Sequence, residues 1–268
     1  MTDKGLDRDG YISREGAMER VPIAYLLLVE AAQNRIAAIF GSRLHSAYLY
    51  GSIPRGTAVT GVSDLDVLLA FHAEPTDEDR TDAAALEVEL AEQFPLIVHA
   101  GLETHGLPTL LSEDERYNCG FWLACLCTPL LGGVDVVSRL PRYRPTRLLA
   151  LETNGDLAAV LVRLGNQYRA ARTDREREKL CRALARKLVR TAFTLVMPRW
   201  NGWSSDLSTC AEVFADYYPR RARQVWQATE LARCPSLDAE IFAQLLDDFG
   251  QWLADEYART IGVKSRPP

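Results

Sequence analysis

Between residues 18 and 40 apolar side chains return at helical spacing, Ile23, Leu26, Leu27, Ala31 and Ile36 among them, which predicts an amphipathic helix. His45 to Tyr50 then reads as a strand that stops at Gly51-Ser52, and residues 53–62 form a loop or short helix rich in Gly, Pro and Thr. Asp64 to Phe71 predicts a second strand, and a polar helix follows from Asp77 to Phe94. Pro95 opens a third strand, Leu96 to Thr104, and the apolar stretch Gly120 to Cys127 fits either a strand or a buried helix. Beyond the break between Gly132 and Pro145 the pattern is helical throughout, over 154–172, 174–197, 206–217, 219–233 and 237–260. Strands alternating with helices and then helices alone predict an α+β domain, a mixed sheet with flanking helices, followed by an all-helical carboxy-terminal domain. The boundaries expected are a flexible tail over 1–17, a catalytic domain over 18–145 and a helical domain over 146–268.

Composition supports a globular chain: 47% of its 268 residues are apolar and 25% charged, enough to bury a core. The apolar run Pro22 to Val29 is ended by Glu30 and is too short to cross a bilayer. The first residues mix acids and bases without a greasy segment, so neither a secretory signal nor a transit peptide is expected, and the cytoplasm is the compartment anticipated. The six cysteines include no Cys-x-x-Cys pair and read as small buried hydrophobes rather than a zinc site. Charge is divided unevenly. Residues 1–138 carry 9 basic and 21 acidic side chains, a balance of −12, and residues 139–268 carry 22 and 15, a balance of +7. The acidic front half argues against an extended nucleic-acid surface and suits metal ions or a cationic small substrate.

The segment Leu49-Tyr-Gly-Ser-Ile-Pro-Arg-Gly, followed after a loop by Ser63-Asp-Leu-Asp-Val, carries the candidate chemistry. Residues two apart on a strand share a face, so Asp64 and Asp66 project together while Leu65 and Val67 face the core. Two adjacent carboxylates repel unless a cation lies between them, which points to Mg2+. Gly51 lets a phosphate approach the backbone, while Ser52, Ser63 and Arg55 offer donors to its oxygens.

This combination resembles the nucleotidyltransferase superfamily that includes DNA polymerase beta and the bacterial aminoglycoside nucleotidyltransferases. Its pattern is a hydrophobic strand, Gly-Ser, a loop and Asp-x-Asp, matched over residues 45–71 and more loosely to about 140, with a third carboxylate on a later strand. The resemblance implies a metal-dependent enzyme, with two Mg2+ ions and ATP as co-substrate. AMP would pass to a hydroxyl of a small molecule, aminoglycoside-like antibiotics being one class. Transfer onto protein or tRNA, or a nucleotide-binding module without activity, are the alternatives. Asp64 and Asp66 would hold the metals, and Gly51, Ser52, Arg55 and Ser63 the phosphates.

For the third acid, alternation in Leu96–Thr104 puts Val98, Ala100 and Leu102 on the core face and His99, Gly101 and Glu103 on the other. Glu103 is the preferred base and metal ligand, and Asp135, in Gly-Gly-Val-Asp-Val-Val, is its rival. In the helical half, the basic helix 174–197 offers Lys187 or Arg190 to the triphosphate, or else a solvated face of ion pairs. Trp200 and Trp203 fall between helices, where they either stack on a ligand or anchor the loop. That half also resembles the carboxy-terminal domains of streptomycin/spectinomycin-type adenylyltransferases. A monomer or homodimer without membrane association completes the expectation.

Overall fold

The computed structural model describes residues 4–132 and 135–265. The chain divides into two compact units, Ser13–Tyr143 and a second made of Met1–Ile12 with Arg144–Pro268.

The first unit is built on a four-stranded mixed sheet in the order β3-β2-β1-β4, with β1 at Leu44–Tyr50, β2 at Leu65–Phe71, β3 at Ala100–Gly106 and β4 at Thr128–Leu131. β1 pairs antiparallel with β2 and β4, and β2 pairs parallel with β3. A parallel pair needs a long crossover, here the helix α3, Asp77–Gln93, whose start is fixed by a Thr76/Asp79 capping box. One face of the sheet, with Leu49, Leu65, Val67, Leu69, Ala100 and Leu102, packs on α3 and on α1, Leu26–Phe40. On the other face Tyr48, Leu68 and Ala70 lie under Leu107, Leu110, Leu123 and Val136. Because both faces are covered, β2 is a nearly continuous apolar run in which Asp66 is the one half-exposed position.

Several elements depart from the expectation. Residues 95–98 form turn and bend, so the third strand begins at Ala100, four residues later than anticipated, and Val98 is half exposed rather than in the core. The stretch 120–127 is neither a regular strand nor a plain helix: Cys119–Phe121 is one helical turn that runs into a π-helical segment, Trp122–Leu126. β4 was not anticipated; its Pro129 is tolerated because the strand lies at the sheet edge. The segment Ile23–Arg43 is long and apolar enough to cross a membrane by length and composition alone, contrary to the reading of the Pro22–Val29 run. Here its residues Leu28, Ala32, Ile36 and Phe40 are fully buried against the sheet, as in the core helix of a globular unit.

The second unit contains α6 (Arg147–Asn154), α7 (Leu157–Ala170), α8 (Asp174–Trp200), α9 (Leu207–Tyr217), α10 (Ala222–Arg233), α11 (Ala239–Gln244) and α12 (Gln251–Thr260). A π-helical segment, Leu245–Gly250, joins α11 to α12. Residues 4–17, expected as part of a flexible tail, are packed instead. Residues 4–12 belong to this unit: the Lys4 ammonium donates to the Trp200 carbonyl at 2.7 Å, and Arg144 lies 4.0 Å over the Tyr11 ring. Residues 13–17 join the sheet unit, where the Glu15 N–H donates to the Cys125 carbonyl and that of Ala17 to Pro54. Trp200 ends α8, and Trp203 is buried edge-on against Phe193, 5.8 Å between ring centres, so both rings pack within the helical unit.

Candidate active site

The end of β1 turns at Gly51 and the chain enters α2, Ser52–Arg55. Gly51 has φ +81, a conformation that side chains other than hydrogen rarely tolerate. It also lies against Asp66: a Cβ at Gly51 would run into the Asp66 carboxylate. The antiparallel register explains the approach, because Tyr50 faces Asp66 directly. On the other side, the parallel register sets Gly101 beside Asp66, and Asp66 Oδ1 and His99 Nε2 each lie 4.0 Å from where a Gly101 Cβ would stand. Asp66 therefore projects between two positions without side chains. Asp64 precedes β2 and shares the half-buried face of Asp66 by alternation. The Gly51 corner and Asp66 meet in space.

The other candidates sit as follows. The Ser63 hydroxyl accepts the Val59 N–H at 2.8 Å, closing the turn before Asp64. Ser52 opens α2, and its carbonyl accepts the Thr57 N–H. Arg55 lies 3.8 Å from the Glu15 carboxylate, a long ion pair within the sheet unit. Glu103 shares the sheet face of Asp66 but pairs with Leu68, one two-residue step beyond Gly101, which is about 7 Å along the strand. Among the described residues no three His, Cys, Asp or Glu side chains are gathered as a metal-binding set. Glu103 thus stands exposed and apart from the Asp pair, and register is the cause. Asp135 is not on a strand; it caps the turn at Val137 and pairs with Arg14 at 2.8 Å. Lys187 is held inside the helical unit by Asp156, at 2.6 Å. Burial lowers the Lys187 pKa, against the opposing pull of Asp156.

Aromatic rings also line this face. The Trp122 ring meets Tyr50 edge-on at 5.0 Å and His105 at 5.9 Å, forming an aromatic wall on the face that carries Asp66 and Glu103. Alternation from Glu103 already gives His105, but Trp122 reaches the wall from the irregular π segment, which no periodicity reveals. The cysteines behave as anticipated at Cys125, Cys127, Cys181 and Cys210, all buried, whereas Cys119 is only partly buried and Cys234 is exposed. Burial, with Glu15 nearby, pushes the Cys125 thiol up to about 12.

Two carboxylates fit Mg2+, which is commonly bound by one or two protein acids with substrate phosphates completing its shell. On the Gly101 side, where no atom comes closer than 4.0 Å to a Cβ position, the flank of Asp66 leaves room for such oxygens. The structure resembles that of spectinomycin adenyltransferase AAD(9) from Enterococcus faecialis, solved with ATP and spectinomycin. The likeness covers 86% of this chain and 98% of that one, at a TM-score of 0.52 and 12% identity. The two chains share a fold. No family model and no curated protein matches the sequence.

Proposed function

We propose that this chain transfers AMP from ATP to a hydroxyl group of a small molecule in a Mg2+-dependent reaction. The observation that carries the reading is the meeting of Gly51, Asp66 and Gly101 at one corner of a sheet of nucleotidyltransferase fold. Asp64 and Asp66 would hold the metal. When bound, the ions neutralise the phosphate oxygens and favour departure of pyrophosphate. Gly51 admits the triphosphate to the backbone, and Ser52, with Ser63 and Arg55 near the same turn, donates to its oxygens. Glu103, on the same sheet face, takes the proton of the acceptor hydroxyl. The acceptor oxygen bonds to the α-phosphorus, the bond from that phosphorus to the bridging oxygen breaks, and pyrophosphate leaves with its electron pair. Lys187, committed to Asp156, supports the helical unit rather than the phosphates.

The acceptor class we favour is a hydroxylated cationic small molecule, such as an aminoglycoside-like antibiotic. The −12 balance of residues 1–138 supports it, as does the spectinomycin in the structure of AAD(9). The test is incubation with Mg2+, α-labelled ATP and a panel of such acceptors. Acceptor-dependent pyrophosphate release with label on the acceptor is expected. Release with none of them, or label only on protein or tRNA, overturns the small-molecule assignment.

A further inference from the structure

The helical unit contains a cleft of about 500 Å³ between α10 and the π-helical segment Leu245–Gly250. Its first wall is written in the sequence as one stripe. Arg220, Arg223, Gln224 and Gln227 follow each other at intervals of three, one and three residues, so they share a helix face. The opposite face of α10 is its packing side, with Val225, Ala228, Thr229 and Ala232 buried. The second wall presents Gln244 and Asp248 over a base that includes buried Phe249. π-helical insertions are rare and often occur at functional sites.

The hydrogen-bond inventory of the cleft is unbalanced. Asp248 is its one acid, and both carboxylate oxygens are engaged, Oδ1 by Arg221 at 3.2 Å and Oδ2 by Gln224 at 2.8 Å. Arg221 is further fixed by lying 4.5 Å over the Trp252 ring. Among the described residues, no ion pair or hydrogen bond joins the side chains of Arg220, Arg223, Gln227 or Gln244 to a protein partner. Two guanidinium groups and two amides therefore face a concave space that contributes no further carboxylate. A complementary ligand must be rich in acceptors and negative, and guanidinium forks match phosphate oxygens well.

We propose that this cleft is a binding site for a small polyanion of the polyphosphate or phosphate-ester class. A nucleic-acid backbone fits less well, because it calls for a continuous track of positive charge, and here the Asp248 carboxylate interrupts the wall. The site is composed of helical-unit residues only, so the proposal does not depend on the transferase reading.

The experiment is calorimetric titration of the full chain with tripolyphosphate and, separately, ATP, in EDTA at about 0.1 M salt. Chelation removes the metal through which the Asp64/Asp66 pair would hold phosphates. Saturable tripolyphosphate binding is expected, weakened about tenfold or more in R220A/R223A and unchanged in D64N/D66N. Both arginines are exposed, so the variant should keep the circular dichroism and melting temperature of the parent. Equal affinity for ATP and tripolyphosphate supports a site that reads phosphates alone, and tighter ATP binding supports a nucleotide. The proposal is overturned by an absence of saturable binding or by binding that ignores the arginine substitutions. It is equally overturned if a single-stranded oligonucleotide binds through these arginines more tightly than tripolyphosphate.

Discussion

The core of the helical unit and the start of β2 arrange their polar groups differently. In the helical unit, opposites meet: Lys187 pairs with Asp156, Thr191 donates to Asn154, and the Tyr257 hydroxyl joins Thr194 at 3.0 Å and the Ala150 carbonyl at 2.6 Å. Each group restores what the other lost on leaving water, so the network specifies how the helices pack. At the start of β2, an interior strand, two acids stand two residues apart. Asp64 and Asp66 share a face, and the positions flanking Asp66 are glycines. Such a pair costs stability through mutual repulsion and is useful when a cation arrives. Paired burial holds the helical unit together, and the proposed chemistry is assigned to the glycine-flanked acids at the start of β2.

That contrast can be broken from either side. Asp64→Asn or Asp66→Asn should lower nucleotidyl transfer on the order of 10³-fold, while the melting temperature holds or rises because repulsion is relieved. A fall in melting temperature comparable to that of a core variant would make the pair structural. Glu103→Gln should reduce kcat by roughly 10² to 10³ with little change in KM for ATP, as loss of a base does. Unchanged kcat removes Glu103 from the reaction. Gly51→Ala places a methyl group where the Asp66 carboxylate lies and forces a positive φ on a residue that resists it. A loss of about 10² in kcat/KM and about 1–3 kcal/mol in stability should follow, measured by steady-state kinetics and urea unfolding. In the helical unit the sign reverses. Asp156→Asn leaves Lys187 without its anion and should cost about 2 kcal/mol in unfolding free energy, the buried-pair penalty discounted for partial exposure.

Much of the Gly51–Asp66 corner is legible in the sequence because it rests on local rules. Strand alternation separates Asp64 and Asp66 from Leu65 and Val67, and a glycine at the strand end marks a turn. What depends on pairing between distant segments is not legible. The distance of Glu103 from the Asp pair follows from the β2–β3 register, which sets Gly101 rather than Glu103 beside Asp66. Trp122 joins the aromatic wall through a π-helical turn that has neither strand nor helix periodicity. β4 is hidden because Thr-Pro-Leu-Leu contains a proline and is only four residues long. Docking of residues 4–12 in the helical unit rests on contacts across some 190 residues, such as Lys4 with Trp200, and no local pattern carries these.

Metal-dependent nucleotide affinity is the most direct test of the acid pair. ATP titrated into the parent chain and into D64N/D66N, with Mg2+ and again with EDTA, separates a cation clasp from mere exposed charge. The account predicts that Mg2+ tightens ATP binding to the parent by about tenfold or more and gives no such gain in the variant. An equal gain from Mg2+ in both proteins would contradict it.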